Sequence, residues 1–210
     1  TFIGEQAGAT SGNSTSATDS NTAVGYQALK SLTSGLSNAA FGKSAGMAVT
    51  TGSNNMFIGT NSGAATTTGG GNTFVGDAAG NANVIGVGNT FIGVGAGQYN
   101  TATGNTYIGG NSGMKATTAT SNVLVGYNTG SSASFNANNS TYVGYNAGTA
   151  NTTGANNTFI GNISGASTTS GSFNTFVGSS SGNKNIVGSD NVFMGEYSGY
   201  NNTASDNTFL

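Results

Sequence analysis

Asn157-Thr158-Phe159-Ile160-Gly161, continued by Asn-Ile-Ser-Gly at 162–165, decides the fold of this chain. The same nine-residue phrase returns from one end of the sequence to the other. After a longer first gap, its first glycine recurs every 17 residues, give or take one, and the twelve repeats place it at Gly4, Gly25, Gly42, Gly59, Gly76, Gly93, Gly109, Gly126, Gly144, Gly161, Gly178 and Gly195. A short fixed period is typical of solenoids, in which each repeat forms one coil. The sequence therefore predicts one continuous array over 1–210.

Each repeat carries two large apolar residues between the asparagine and the glycine, such as Phe159 and Ile160. Adjacent residues on a strand point to opposite faces, so both faces of this strand are apolar, as in strands that are buried on both sides. One face can fill the interior of the coil, and the other needs a second surface. Another copy of the chain is the simplest supplier of that surface, so we expect a homo-oligomer.

An asparagine begins the phrase in nearly every repeat, with Ser140 as the exception: Asn21, Asn38, Asn55, Asn72, Asn89, Asn105, Asn122, Asn157, Asn174, Asn191 and Asn207. Stacked coils would place these amides about 4.8 Å apart, which suits a hydrogen-bonded ladder and an asparagine turn. The residue after the first glycine varies freely, which indicates exposure. A small residue and a second glycine follow, which indicates a tight corner; Leu29 replaces that glycine once.

The connector between phrases contains a shorter extended piece, for example residues 65–68 and 185–187, and usually ends at a glycine. β-Branched residues favour a strand there. The fold class predicted is therefore all-β: a parallel β-solenoid, or β-roll, of about twelve 17-residue coils with two short strands per coil. The first connector is longer, which predicts a loop insertion at 9–20. Where Ala23 and Ala40 replace the aromatic, we expect Leu29, Leu32 and Leu36 to fill the space.

Composition narrows the function classes. The chain has four lysines, no arginine, six acidic residues and a net charge of −2. No basic surface for nucleic acid is therefore expected, and no basic patch or apolar run for a membrane. Cysteine, histidine, tryptophan and proline are absent. The chain begins and ends inside the repeated phrase, so we expect a segment of a longer array.

No catalytic constellation is expected, and no cofactor. Without histidine or cysteine, a Ser-His or Cys-His pair is impossible. Glu5, Asp77 and Glu196 share the variable position but lie four and seven coils apart, far beyond the spacing of a catalytic carboxylate pair. Asp190 and Asp206 precede the asparagine of successive coils and are weak candidates for a Ca²⁺ site, since aspartate is also a common turn residue.

Glycosylation sequons provide another class of candidate site. They include Asn13, Asn139, Asn162 and Asn201. Several are expected by chance in a chain so rich in Asn and Thr. Attached glycans would solubilise a surface that is short of charge.

The phrase Asn-Thr-Ala-Val-Gly-Tyr-Gln-Ala-Leu at 21–29, together with the Asn-Thr-Phe-Ile-Gly-x-x-Ala-Gly repeats, resembles trimeric fibrous surface proteins. These include the left-handed β-roll heads of YadA-like trimeric autotransporter adhesins and the tandem repeats of phage tail fibres. The period here is longer than in the adhesin heads, and phenylalanine often stands where they carry alanine. The resemblance implies a trimeric fibre that is extracellular or on a virion surface.

Two functions follow as hypotheses. The first is a non-catalytic structural fibre segment in a filament, surface adhesin or tail fibre, decorated with glycans or binding them, whose chains form homotrimers or join end to end. The second is an ice- or crystal-binding solenoid that uses the threonines at 22, 73, 90, 106, 141, 158 and 175. Ala39, Met56, Val123 and Val192 interrupt this threonine column, and it shares a strand face with the Ile/Val column, which indicates an inward or interfacial position.

Overall fold

The structure, a computed structural model, describes residues 1–8 and 20–210. The chain forms two compact units, Thr1–Gly104 and Asn105–Leu210. Except for Ser20, the loop insertion predicted at 9–20 lies outside the described residues, and so does the sequon at Asn13. Within the described residues every regular element is a short β-strand.

The strands repeat once per coil. The first unit contains β1 (Phe2–Ile3), β2 (Thr22–Val24), β3 (Ala39–Phe41), β4 (Met56–Ile58), β5 (Thr73–Val75) and β6 (Thr90–Ile92). The second contains β7 (Thr106–Ile108), β8 (Val123–Val125), β9 (Thr141–Val143), β10 (Thr158–Ile160), β11 (Thr175–Val177), β12 (Val192–Met194) and β13 (Thr208–Phe209).

Within each unit, every strand pairs in parallel with the strand of the next coil. Phe57 lies opposite Phe74 in the first unit, and Phe159 lies opposite Phe176 in the second. Equivalent residues of the phrase therefore stack in columns along the coils. The chain is a parallel β-solenoid of about twelve coils, which confirms the fold class predicted from the repeat.

The middle residue of each strand fills the interior. Phe57, Phe74 and Phe91 in the first unit, and Tyr142, Phe159, Phe176 and Phe193 in the second, are fully buried. Ring centroids of Phe159 and Phe176 are 4.9 Å apart, with planes inclined by 9°. The coil spacing of about 4.8 Å falls within the centroid separation of offset-stacked aromatic rings, so identical residues of successive coils stack on one another.

A buried asparagine ladder runs beside the aromatic column, as predicted. Asn174 Nδ2 donates to Asn157 Oδ1 at 3.2 Å and to the carbonyl of Gly188 at 2.9 Å. Its Oδ1 accepts from the backbone N–H and Nδ2 of Asn191 at 3.1 and 3.0 Å. Each amide thus satisfies backbone groups of two coils, which a buried turn requires. At the exception, Ser140 Oγ accepts from the Asn157 N–H at 3.2 Å.

The ladder asparagines themselves do not adopt the left-handed conformation that an asparagine turn suggests. From Asn38 onwards, the residue before each ladder position does, with positive φ at Asn54, Asn156 and Asp190, for example. Asn tolerates this conformation, and the ladder residue instead remains extended at the start of its strand.

The second short strand predicted for each coil is absent from the described residues. Around Thr67, the N–H groups of Thr50 and Gly52 converge on a single carbonyl at 3.0 and 3.2 Å. Converging donors bend the chain, whereas a strand pairs each N–H with its own carbonyl in a ladder. Each coil therefore contains one strand and a bent connector.

The leucine prediction is partly confirmed. Leu29 and Leu32 are buried in the coils where Ala23 and Ala40 replace the aromatic. Leu36, in contrast, is 40% exposed, so the prediction that it fills the core is wrong. Leu36 lies at the bend of its connector, where its N–H bonds the Ser53 hydroxyl at 2.9 Å, and the bend turns its side chain outward.

Candidate functional site

The candidate site is the outward face of the strands, which we call the outer strand face. In each strand the middle side chain points inward, so the residues on either side of it point outward. In the second unit this face consists of two columns, listed here in chain order: Thr106, Val123, Thr141, Thr158, Thr175 and Val192, and beside them Ile108, Val125, Val143, Ile160, Val177 and Met194.

The Ile/Val column of the outer strand face is apolar and partly open to solvent. Ile160 is 38% exposed and Met194 46% exposed, while the intervening Val177 is half-buried by its neighbours. In the first unit, Ile58 and Ile92 have the same exposure as Ile160. Scattered apolar side chains on a surface are ordinary, but a continuous column of them marks a surface suited to association.

The threonine column also points outward. The register pairs Thr141 with Thr158, and Thr158 with Thr175, on neighbouring strands. These threonines are half-buried, each lying beside the Ile/Val column of its own strand. The sequence predicted an inward or interfacial position, and the structure rules out the inward one.

The variable position after the first glycine forms a separate column, which we call the variable column. It is mostly exposed, as predicted. Glu5, Asp77 and Glu196 are all exposed there. No described group of three or more acidic side chains is gathered in a way that could hold a metal ion.

Asp190 and Asp206 occupy equivalent positions on successive coils, because Val192 pairs with Thr208. Both residues have positive φ, at 59° and 61°. Their N–H groups bond the carbonyls of Ser172 and Ser189 at 3.1 and 3.0 Å. These bonds give both residues a role in the turn, and the Ca²⁺ site suggested by their sequence positions remains a prediction.

Three of the candidate sequon asparagines are exposed: Asn139, Asn162 and Asn201. Asn139 has a φ of 56° at the turn before Ser140. Asn162 follows the first glycine of its repeat, on the variable column. An oligosaccharide attached at any of them would have access to solvent.

Two buried tyrosines carry perturbed ionisation. Tyr107 and Tyr142 replace phenylalanine in the interior column. Burial raises the pKa of both phenols well above the usual value, and hydrogen bonding to Asn122 opposes the shift at Tyr107. Because the phenolate cannot be solvated inside the coil, the folded chain retains these protons to higher pH than the unfolded chain.

This shift predicts loss of stability in alkali. Both buried phenols contribute fully to the stability of the fold below pH 10, because there the tyrosines of the unfolded chain are protonated too. Above that pH the unfolded chain ionises first, and each tyrosine should destabilise the fold by about 1.4 kcal/mol per pH unit. The double variant Tyr107→Phe/Tyr142→Phe should flatten the pH dependence of urea unfolding between about pH 10 and 11.5.

The matched control is Tyr127→Phe, which removes a hydroxyl from an exposed ring and should follow the wild-type curve. If the double variant lost stability as steeply as the wild type, the buried phenols would not be the source of the alkaline sensitivity.

The described residues include no helix with the length and apolar character needed to cross a membrane. Comparison of the chain with protein-family models, with curated proteins and with solved structures gave no match. The geometry of the outer strand face is therefore the basis for a functional assignment.

Proposed function

We propose that this chain is a structural segment of an extracellular fibre, of the surface-adhesin or phage tail-fibre kind, whose chains associate side by side as a homotrimer. The observation that carries the proposal is the outer strand face, a regular apolar surface left open in the single chain. In this function the segment performs no catalysis. It acts as a stiff spacer that carries exposed amides, hydroxyls and tyrosines away from an attachment point.

The interior supports the mechanical part of the proposal. Backbone pairing ties each coil of a unit to the next. In most coils the asparagine ladder and ring stacking add to it, as between Phe176 and Phe193 at 4.8 Å. Bending the solenoid would have to break all three at once. A repeat array with such nearest-neighbour interfaces suits a rigid fibre.

The outer strand face supports self-association. A side chain such as Ile160, 38% exposed, contributes roughly 0.5–1 kcal/mol when a partner covers it. Summed over the Ile/Val column of one unit, this reaches several kcal/mol. Electrostatic repulsion between the associating chains is weak, because each chain has a net charge of only −2. Because equivalent residues recur at the same coil spacing in every chain, identical surfaces match each other in period.

The test is the mass of the protein in solution. We expect a trimer by light scattering and analytical ultracentrifugation at micromolar concentration, and rods by electron microscopy. The double variant Ile108→Lys/Ile160→Lys places two charges on the outer strand face and should yield monomers. The control Thr60→Lys/Asn162→Lys adds the same charge on the variable column and should leave the trimer intact.

Circular dichroism distinguishes dissociation from unfolding, since a monomeric variant must retain the β-spectrum of the wild type. A wild-type chain that remains monomeric at high concentration would overturn the proposed trimer. Assembly that resisted the outer-face charges would place the interface elsewhere.

One observation favours a second candidate function. Outward-facing threonines in strand register, such as Thr158 and Thr175, form part of a regular array of the kind required to bind ice or another crystal surface. Thermal hysteresis in the purified protein, lost in Thr158→Lys, would favour this function over the fibre. Ice growth unaffected by the wild-type protein would exclude it.

A further inference from the structure

The variable column contains an aromatic pair that the fibre architecture does not need. Tyr127 and Tyr145, which we call the tyrosine pair, are 55% and 54% exposed. Their ring centroids are 6.0 Å apart and their planes are inclined by only 10°. Thr60 and Ser179 occupy the same position in other repeats, so no aromatic residue is required there for folding.

One face of this pair is left uncovered by the coil before it. Backbone hydrogen bonds align the column, from the Asn128 N–H to the Gly110 carbonyl at 2.9 Å and from the Asn146 N–H to the Tyr127 carbonyl at 3.1 Å. Gly110 therefore precedes Tyr127 in the column and has no side chain to lie over its ring. We call the space that Gly110 leaves beside the Tyr127 ring the notch.

Amide groups adjoin the rings in the chain. Asn128 and Asn146 follow the two tyrosines, and Asn128 Nδ2 donates to Asn146 Oδ1 at 2.9 Å. This bond fixes both amides and leaves Asn128 Oδ1 as an acceptor and Asn146 Nδ2 as a donor toward a ligand. Asn162 adds a third, exposed amide on the next coil of the column.

The two coils that carry the tyrosines have no charged side chain, and the nearest lysine in the sequence is Lys115, on the coil of Gly110. From residue 116 to residue 183 the sequence contains no Lys, Arg, Asp or Glu. Phosphate, sulfate and nucleic acid bind mainly through cations, and the coils of the two tyrosines offer them none. A ligand suited to it is neutral, with an apolar face for the ring and hydroxyls for the amides.

We propose that the tyrosine pair and the notch at Gly110 bind a neutral saccharide. The C–H face of a pyranose ring would pack on the Tyr127 ring, through dispersion and the negative potential of the aromatic face. Its hydroxyls would bond the free amide atoms of Asn128 and Asn146. The inference deepens the proposed adhesive role and rests on it, but it is independent of the trimer.

The experiment titrates the full chain with neutral oligosaccharides of glucose, mannose, galactose and N-acetylglucosamine, and with a sulfated oligosaccharide as the charged arm. Binding is followed by calorimetry and by tyrosine fluorescence, which no tryptophan obscures. We expect at least one neutral oligosaccharide to bind with a Kd of about 1 mM or tighter. No neutral binding, or binding of the sulfated sugar alone, would overturn the proposal.

Three variants locate the site. Tyr127→Ser should weaken binding about tenfold or more, and Gly110→Val should do the same by filling the notch while both tyrosines remain. Val94 occupies the equivalent position in the first unit, so the column accepts valine. Tyr26→Ser, at a single exposed tyrosine, is the control and should bind normally. Unchanged binding by Gly110→Val would overturn the assigned geometry.

Light scattering on the same samples separates the two proposals. Lost saccharide binding in an intact trimer would contradict only the tyrosine-pair site. Saccharide binding by a monomeric wild-type chain would contradict only the trimer.

Discussion

Gly76→Ala is expected to destabilise the first unit by roughly 4 kcal/mol, enough to unfold the coils around it. Gly76 has a φ of 136°, which side chains rarely adopt, and a Cβ there would lie 2.5 Å from the carbonyl oxygen of Gly93. The obstacle is backbone of the next coil, held by pairing of Val75 with Ile92, so it cannot move aside. Urea unfolding followed by circular dichroism measures the loss.

The control for this prediction is Gly88→Asn in the same unit. Gly88 also has a positive φ, at 67°, but no atom lies within 4 Å of the position of a Cβ there. Asn54 and Asn156 occupy the equivalent position in other repeats, both with positive φ. We expect a change of at most about 0.5 kcal/mol. Equal losses from the two variants would contradict this account, since only position 76 combines the close approach of the next coil with a φ beyond the left-handed region that asparagine tolerates.

Phe176→Ala is expected to remove about 4 kcal/mol of stability from the second unit. The ring is fully buried and stacks between Phe159 at 4.9 Å and Phe193 at 4.8 Å. Its removal leaves a cavity that the paired strands on either side cannot close. Phe176→Leu is the matched control, with a loss of about 1–1.5 kcal/mol, because Leu124 already occupies this column in β8.

A rescue variant tests the packing directly. In the coil where Ala23 replaces the aromatic, Leu29 replaces the second glycine and is buried, with a φ of 46°. Gly182 has a φ of 56°, and a Cβ there would lie 2.5 Å from the Phe176 ring. Gly182→Leu alone should therefore destabilise the chain, yet in the Phe176→Ala background it should restore stability. Additive losses in the thermodynamic cycle would contradict this account.

Much of the fold could be predicted because each structural role repeats at a fixed phase. The asparagine ladder, the two apolar columns of the strand and the exposed variable column each follow from a residue type that recurs at one position. The effect of a single departure from the repeat does not follow from the residue type alone. Leu29 and Leu36 belong to the same repeat and have the same side chain, but only Leu29 is buried, because the bend at Leu36 is set by the Ser53 hydroxyl of the next coil.

The candidate sites depended more on tertiary structure. The variable column was predictable as exposed, but the parallel stacking of Tyr127 on Tyr145 and the notch at Gly110 required the register between coils. The prediction of a second strand in each coil was wrong for a related reason. β-Branched residues favour extension locally, while convergence on the Thr67 carbonyl, a contact between coils, bends the chain.

The sequence by itself determined the period, the coil as the repeating unit and the presence of two apolar columns on each strand. Tertiary structure decided which column faces inward. Strand alternation places the two columns on opposite faces but does not show which face is the interior of the coil. The aromatic column lies inside, where the second glycine of most repeats, such as Gly165, lets the ring pack directly against the backbone. The Ile/Val and threonine columns consequently remain outside, as the surface on which the proposed association depends.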